Sequence, residues 1–125
     1  VGPGTFLPIQ SRDLRRHTVP PERVSISVEA AARIEEARAQ GRPILAVGTT
    51  VTRTLEYVAR EHAGAIVEFH GEADLVIIPG HRFAVVDLLL TNFHLPSSSL
   101  LVLVAAFAGR ERALALYRHA VDQRY

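Results

Sequence analysis

Ile44-Leu45-Ala46-Val47-Gly48-Thr49-Thr50 is the stretch whose reading decides the fold, and it leads straight into a helical pattern that runs through His62. A short, fully apolar strand followed by a tight glycine turn into a helix is the grammar of a parallel α/β unit. The carboxyl end of such a strand is where these folds place their ligands. Thr49 and Thr50 stand at that end. Their hydroxyls suit either a helix cap or a hydrogen bond to a carboxylate or phosphate, because the two uses draw on the same chemistry.

Upstream, Val24, Ile26 and Val28 alternate with Arg23, Ser25 and Ser27, the period-2 signature of a half-buried strand. Ser27 can then cap a helix over residues 28 to 40, with Gly41 closing it and Pro43 forcing the exit. Before that strand lie a Gly-Pro-Gly turn in Val1–Ile9 and a polar stretch, 10–22, carrying Arg12, Arg15, Arg16 and His17. Downstream, residues 65–69 and 74–78 are two further strand candidates separated by His70-Gly71-Glu72, and Pro79-Gly80 marks a turn. From Asp87 to Gly109 an apolar run breaks at a polar elbow, Thr91 to Ser99, and resumes as nine apolar residues. Leu95 precedes a proline, so the chain turns there, and Ser97 is the expected N-cap of the following helix. An amphipathic helix with Ala113, Leu116, Tyr117 and Ala120 on one face closes the chain. Strand–helix alternation predicts an α/β fold.

Composition bounds the function. The chain has 125 residues, room for one domain, and 48% of them are hydrophobic, enough for a core. A net charge of +1 argues against a surface built to neutralise many phosphates, although all 14 basic residues are arginine. No cysteine is present, which excludes disulfides and thiolate metal sites. The longest apolar run is half of the roughly 20 residues a membrane helix needs, so a cytoplasmic protein is expected, without a membrane partner. The chain begins at Val1 and opens on a turn, which reads as a cut from a longer polypeptide. Six histidines show no metal-ligand spacing, and no metal is expected. There is no Gly-x-Gly-x-x-Gly, no phosphate-binding Walker loop and no Gly-x-Ser-x-Gly. What remains is three polar turns, at Gly48–Thr50, Pro79–His81 and Asn92–Ser99, each following an apolar segment and expected on one rim of one sheet.

Those turns with their flanks resemble the S-adenosylmethionine:tRNA ribosyltransferase-isomerase family of the queuosine pathway. Val1-Gly2-Pro3-Gly4-Thr5-Phe6 is similar to the family's opening, and Ala46-Val47-Gly48-Thr49-Thr50 with Arg53-Thr54-Leu55-Glu56 to its next block. Asp74 through Phe83 resembles a third block; Thr91-Asn92-Phe93-His94-Leu95-Pro96 is the most specific hexapeptide, with Ala106-Phe107-Ala108-Gly109 following. The resemblance implies transfer of the ribosyl portion of S-adenosylmethionine onto a deazaguanine base at the anticodon wobble position of tRNA. Isomerisation follows, with release of adenine and methionine. The sulfonium acidifies the adjacent ribose carbon, so such a site needs a base and groups that hold a developing anion. The resemblance assigns acid–base work to His94, supported by Asp87 and Glu22. It assigns binding to Thr49, Thr50, Arg53, Pro79, Gly80, Thr91, Asn92 and, on a substrate-side loop, His17. S-adenosylmethionine is the ribosyl donor, the tRNA anticodon loop the partner, and a monomer is expected.

Departures from the family pattern are local. Its His-x-Met-His-Ser-Glu loop is here His17-Thr18-Val19-Pro20-Pro21-Glu22, and its Lys-Ser-Thr after Leu-Pro is Ser97-Ser98-Ser99. Its tyrosine after Pro-Gly is His81. These changes open the alternative of a divergent, non-catalytic nucleoside- or RNA-binding relative. The resemblance also implies that residues 1–125 form part of the α/β domain of a two-domain protein, without its β-barrel domain and C-terminal tail, and without full activity alone.

Overall fold

In the computed structural model, which describes Ile9 and residues 13–125, the chain builds strands and helices in mixed order, an α/β fold. A 3-10 turn, Leu14–Arg16, precedes β1 (Glu22–Ile26), α1 (Val28–Ala39), β2 (Leu45–Val47), α2 (Thr49–Glu61), β3 (Phe69–Ala73), β4 (Leu88–Leu90), α3 (Ser99–Ala108) and α4 (Arg110–Asp122). β1 pairs antiparallel with β3, and β2 pairs parallel with β4. The Val1–Phe6 block of the family resemblance and Arg12 lie outside the described residues.

Local chemistry sets the boundaries. Ser27 caps α1 by accepting from the Ala30 N–H at 3.2 Å. Gly41 ends that helix with φ +67°, donating to Arg38 O at 2.9 Å, while Arg42 N–H reaches Ala37 O at 2.9 Å. These two bonds are those of a Schellman motif, which the left-handed glycine permits. Gly48, at φ 97° and ψ 150°, turns β2 directly into α2 through a conformation that side chains rarely adopt.

Two expectations shift. The strand expected at 65–69 and the one at 74–78 are replaced by a single ladder across the intervening segment, from Glu22↔Ala73 to Ile26↔Phe69. Phe69, Gly71 and Ala73 alternate with the exposed His70 and Glu72, a period of two that glycine and alanine hide from a reading of apolar residues. Gly71 lies under the Phe69 ring, where a Cβ would come 2.8 Å from Cζ. The flanking apolar residues Ile66, Leu75 and Ile77 are buried as packing groups. At the other boundary, Ser98 rather than Ser97 caps α3, accepting from the Leu101 N–H at 3.2 Å, and Ser97 takes φ +58°.

One core cluster joins Ile26, Ala46, Val58, Ala59, Ile66 and Val85; a second joins Leu75, Ile77 and Leu103, and Tyr57 and Phe83 pack against both. In α4, Ala113 and Ala120 are buried whereas Leu116 points outward. Among the described residues no helix is long and apolar enough to cross a membrane, and no cluster of three metal-ligating side chains occurs.

Candidate functional site at the strand ends

Parallel pairing brings two of the three polar turns together. Val47 stands opposite Leu90, and the ladder continues one step further as the Gly48 N–H donates to Leu90 O at 2.8 Å. Gly48-Thr49-Thr50 and Thr91–His94 therefore emerge side by side at the carboxyl ends of β2 and β4. The first turn of α2 is closed by Thr52, whose N–H and hydroxyl donate to Gly48 O at 3.2 and 3.1 Å. Neither Thr49, which is buried, nor the half-buried Thr50 spends its hydroxyl capping the helix.

The elbow is braced from α4. Tyr117 Oη accepts from the His94 N–H at 2.9 Å, and the Phe93 ring meets the Tyr117 ring edge-on at 5.1 Å. Thr91 Oγ1 lies 3.1 Å from His94 Nε2. The Ser98 hydroxyl donates to Leu95 O at 2.7 Å, fixing the exit toward α3. Burial pushes the His94 imidazole below its ordinary pKa, so the ring is neutral at physiological pH. Asn92 is exposed beside it.

A second group forms below Thr50. Arg53 donates from Nε to Leu75 O at 3.1 Å and places Nη1 3.9 Å from Glu22 Oε1, with both side chains almost fully buried. Burial lowers the Arg53 pKa, while Glu22 and Asp74 pull it up. A narrow crevice runs between Glu22, Thr50, Arg53 and Ala73, and beside it a groove of about 320 Å³ opens between β1, α1 and α2, with Ser25, Ser27, Thr50 and Thr54 on its walls. His17, on the loop leading to Glu22, holds a buried Nε2 without a hydrogen-bond partner among the described residues.

Other candidates sit apart. Asp87 Oδ2 accepts from the Ile44 N–H at 2.9 Å at the amino end of β4, the end opposite to His94, so the structure does not bring the two together. Pro79 and Gly80 occupy the centre of a turn closed by His81 N–H to Ile78 O at 3.0 Å, with Gly80 at φ +98°. That turn does not share the rim expected for it. It is tethered through His81 to Glu56, seven residues into α2 and roughly 10 Å along the helix from Thr49.

Glu56 is the group that a reading of the sequence passes over. Its side chain is 1% exposed, and its carboxylate accepts from the backbone N–H groups of Ala84 (2.8 Å), Val85 (3.0 Å) and Val86 (2.9 Å), with His81 Nε2 at 3.3 Å. One side chain thus connects the helix that begins at Gly48-Thr50, the Pro79–His81 turn and the segment that feeds β4. A partial signal was present: Glu56 shares helical spacing with the buried Thr49, Thr52 and Ala59, where a solvated glutamate would not fall.

Comparison with known proteins gives the family of the chain. The family model described as queuosine biosynthesis protein matches residues 1–125. The chain belongs to the queuosine biosynthesis protein family. Within that family, it is 50% identical to the S-adenosylmethionine:tRNA ribosyltransferase-isomerase of Nitratidesulfovibrio vulgaris strain DP4, covering all of this chain and 33% of that relative. It is 53% identical to the protein of the same name in Anaeromyxobacter dehalogenans, again over all of this chain and 36% of the relative. Among solved structures of the family, that of S-adenosylmethionine tRNA ribosyltransferase from Thermotoga maritima is 46% identical with a TM-score of 0.74, over 81% of this chain and 35% of that one. The chain spans about a third of the length of the curated relatives it matches.

Proposed function

We propose that the chain carries part of the active site of a S-adenosylmethionine-dependent ribosyl transfer and isomerisation that modifies a deazaguanine base at the wobble position of tRNA, releasing adenine and methionine. The observation that supports this reading most is the meeting of Thr91–His94 with Gly48-Thr49-Thr50 at the carboxyl ends of two parallel strands. A rim of this kind offers backbone N–H groups, hydroxyls and an imidazole to one ligand.

Roles follow from the chemistry of each group. His94, kept neutral by burial, takes the proton from the ribose carbon next to the sulfonium. Thr91 orients the ring, and Asn92, exposed on the rim, serves donor hydroxyls or the adenine. Thr49 and Thr50, with the first N–H groups of α2, hold a carboxylate or phosphate. Arg53 and Glu22 form the wall of the adjoining crevice, which Thr50 also lines. Asp87 supports the opposite end of β4 through Ile44.

The test is adenine release from S-adenosylmethionine by the intact protein with tRNA bearing the modified base. His94→Ala is expected to lower turnover by roughly 10²- to 10⁴-fold, the usual contribution of a general base. Near-wild-type turnover in this variant would sink the assignment of His94. S-adenosylmethionine binding by the unaltered protein without any adenine release would favour the non-catalytic relative, to which Pro20 and Ser97 lend themselves.

A further inference from the structure

We propose that the groove between the elbow, α3 and α4 takes the unpaired RNA base that adjoins the modified one, with the phosphate between the two held by Arg118. That the partner is tRNA rests on the reading under Proposed function; the lining and charge of the groove are those of this chain.

α4 carries more apolar surface than the core consumes. Ala113 and Ala120 are buried, whereas Val121 is 75% exposed. Leu114, Tyr117, Arg118 and Val121 recur at i, i+3, i+4 and i+7, so they share one flank of the helix. With Leu101 of α3 and Pro96 of the elbow, that flank lines a predominantly apolar groove of about 380 Å³.

The groove adjoins the elbow. Pro96 follows His94 by two residues, at most about 7 Å of chain. Tyr117, in the groove wall, accepts from the His94 N–H at 2.9 Å and meets the exposed Phe93 ring edge-on at 5.1 Å. Two consecutive nucleotides of one strand can therefore occupy the rim and the groove together.

Charge selects the occupant. A nucleotide joins a flat, largely apolar ring to an anion, and the groove offers the matching pair. Arg118 stands exposed at its edge, and its guanidinium forms no ion pair or hydrogen bond among the described residues. Residues 110–125 hold Arg110, Arg112, Arg118 and Arg124 against Glu111 and Asp122, in a chain whose net charge is only +1. Asp122 also lines the groove, one helical turn on from Arg118, and its carboxylate directs a phosphate to the arginine side. A guanidinium grips phosphate oxygens bidentately, and unpaired bases of RNA loops are held by stacking on side chains of this kind.

The test is binding of tRNA carrying the deazaguanine base to the intact protein, followed by fluorescence anisotropy across a range of salt. Arg118→Gln is expected to weaken binding about tenfold and to lower the slope of log affinity against log salt by about 0.7, the share of one phosphate, while Arg33→Gln on α1 keeps the wild-type slope. Deleting the base on either side of the modified one, in turn, is expected to cost wild type on the order of tenfold at one of the two positions. In Val121→Glu, whose carboxylate already keeps the base out, the same deletion is expected to cost nothing further. Equal slopes in Arg118→Gln and wild type, an equal drop in Arg33→Gln, or additive losses from Val121→Glu and the deleted base would overturn the proposal. So would unfolding of the intact Val121→Glu protein beside an Arg118→Gln protein that binds tRNA normally, the mark of a groove covered by polypeptide. Calorimetry is expected to give Arg118→Gln the wild-type affinity for S-adenosylmethionine; a loss there would put the donor in the groove instead of RNA. Should the wild-type protein bind no tRNA, the functional reading and the proposal fall together, whereas tRNA binding with unchanged slopes removes the proposal alone.

Discussion

His94 enters the folded state with its proton off, and this has a measurable signature. Burial disfavours the imidazolium, so the folded-state pKa lies below the unfolded one. The unfolded chain then binds more protons as the pH approaches roughly 6.5 from above, and stability falls as the pH drops through that value toward the folded pKa. The contribution is fully present above the unfolded pKa and lost below the folded one. Urea midpoints measured from about pH 8 down to about pH 5 should therefore decline less steeply in His94→Gln than in wild type; parallel declines would remove His94 as the source. The residues of this elbow were legible because turn residues after an apolar strand advertise themselves. Glu56 was not, since a glutamate inside a helix ordinarily faces water. Its burial is decided by N–H groups about thirty positions later, at Ala84 to Val86, which no local pattern contains.

At the scale of elements, the start of α3 separates two serines of opposite effect. Ser98 accepts from Leu101 N–H and donates to Leu95 O, so Ser98→Ala should cost about 1 kcal/mol or more. Ser97 sits at φ +58°, a left-handed conformation that strains a side chain, so Ser97→Gly should stabilise by up to about 1 kcal/mol. Thermal unfolding of the two variants should move the midpoint in opposite directions, and a loss of stability in Ser97→Gly would contradict the strain. The sequence placed a cap among these serines but not on the right one, because all three have the same capping chemistry and only the turn after Pro96 selects between them. β3 escaped for a related reason: its inward positions are Phe69, Gly71 and Ala73, and two of the three carry no apolar signal. β1, α1, β2 and α2 were legible because their period and caps agree, and α3 and α4 were legible as an apolar run behind a serine cap and as an amphipathic pattern.

Over the whole molecule, the β2–β4 pair is packed on one face only. Ala46 is fully buried, whereas Leu45, Val47, Leu88 and Leu90 are 52%, 61%, 50% and 59% exposed. Registered opposite one another, Leu45 with Leu88 and Val47 with Leu90, they form a continuous apolar strip. Parallel sheets are ordinarily covered on both faces, and the apolar runs read from the sequence implied such burial. The fold class was thus legible from strand, glycine turn and helix, but not which face of the pair this chain covers. The contrast predicts a stability test on the 125-residue chain. Leu45→Thr together with Leu88→Thr places residues of good strand propensity in the strands and removes little buried area, so urea unfolding should shift by no more than about 0.5 kcal/mol per site. Leu103→Ala, which empties a site 1% exposed between Leu75 and Ile77, should cost about 2–5 kcal/mol. A double threonine variant as unstable as Leu103→Ala would mean that the strip is already packed within this chain, and that the core extends to the second face of the sheet.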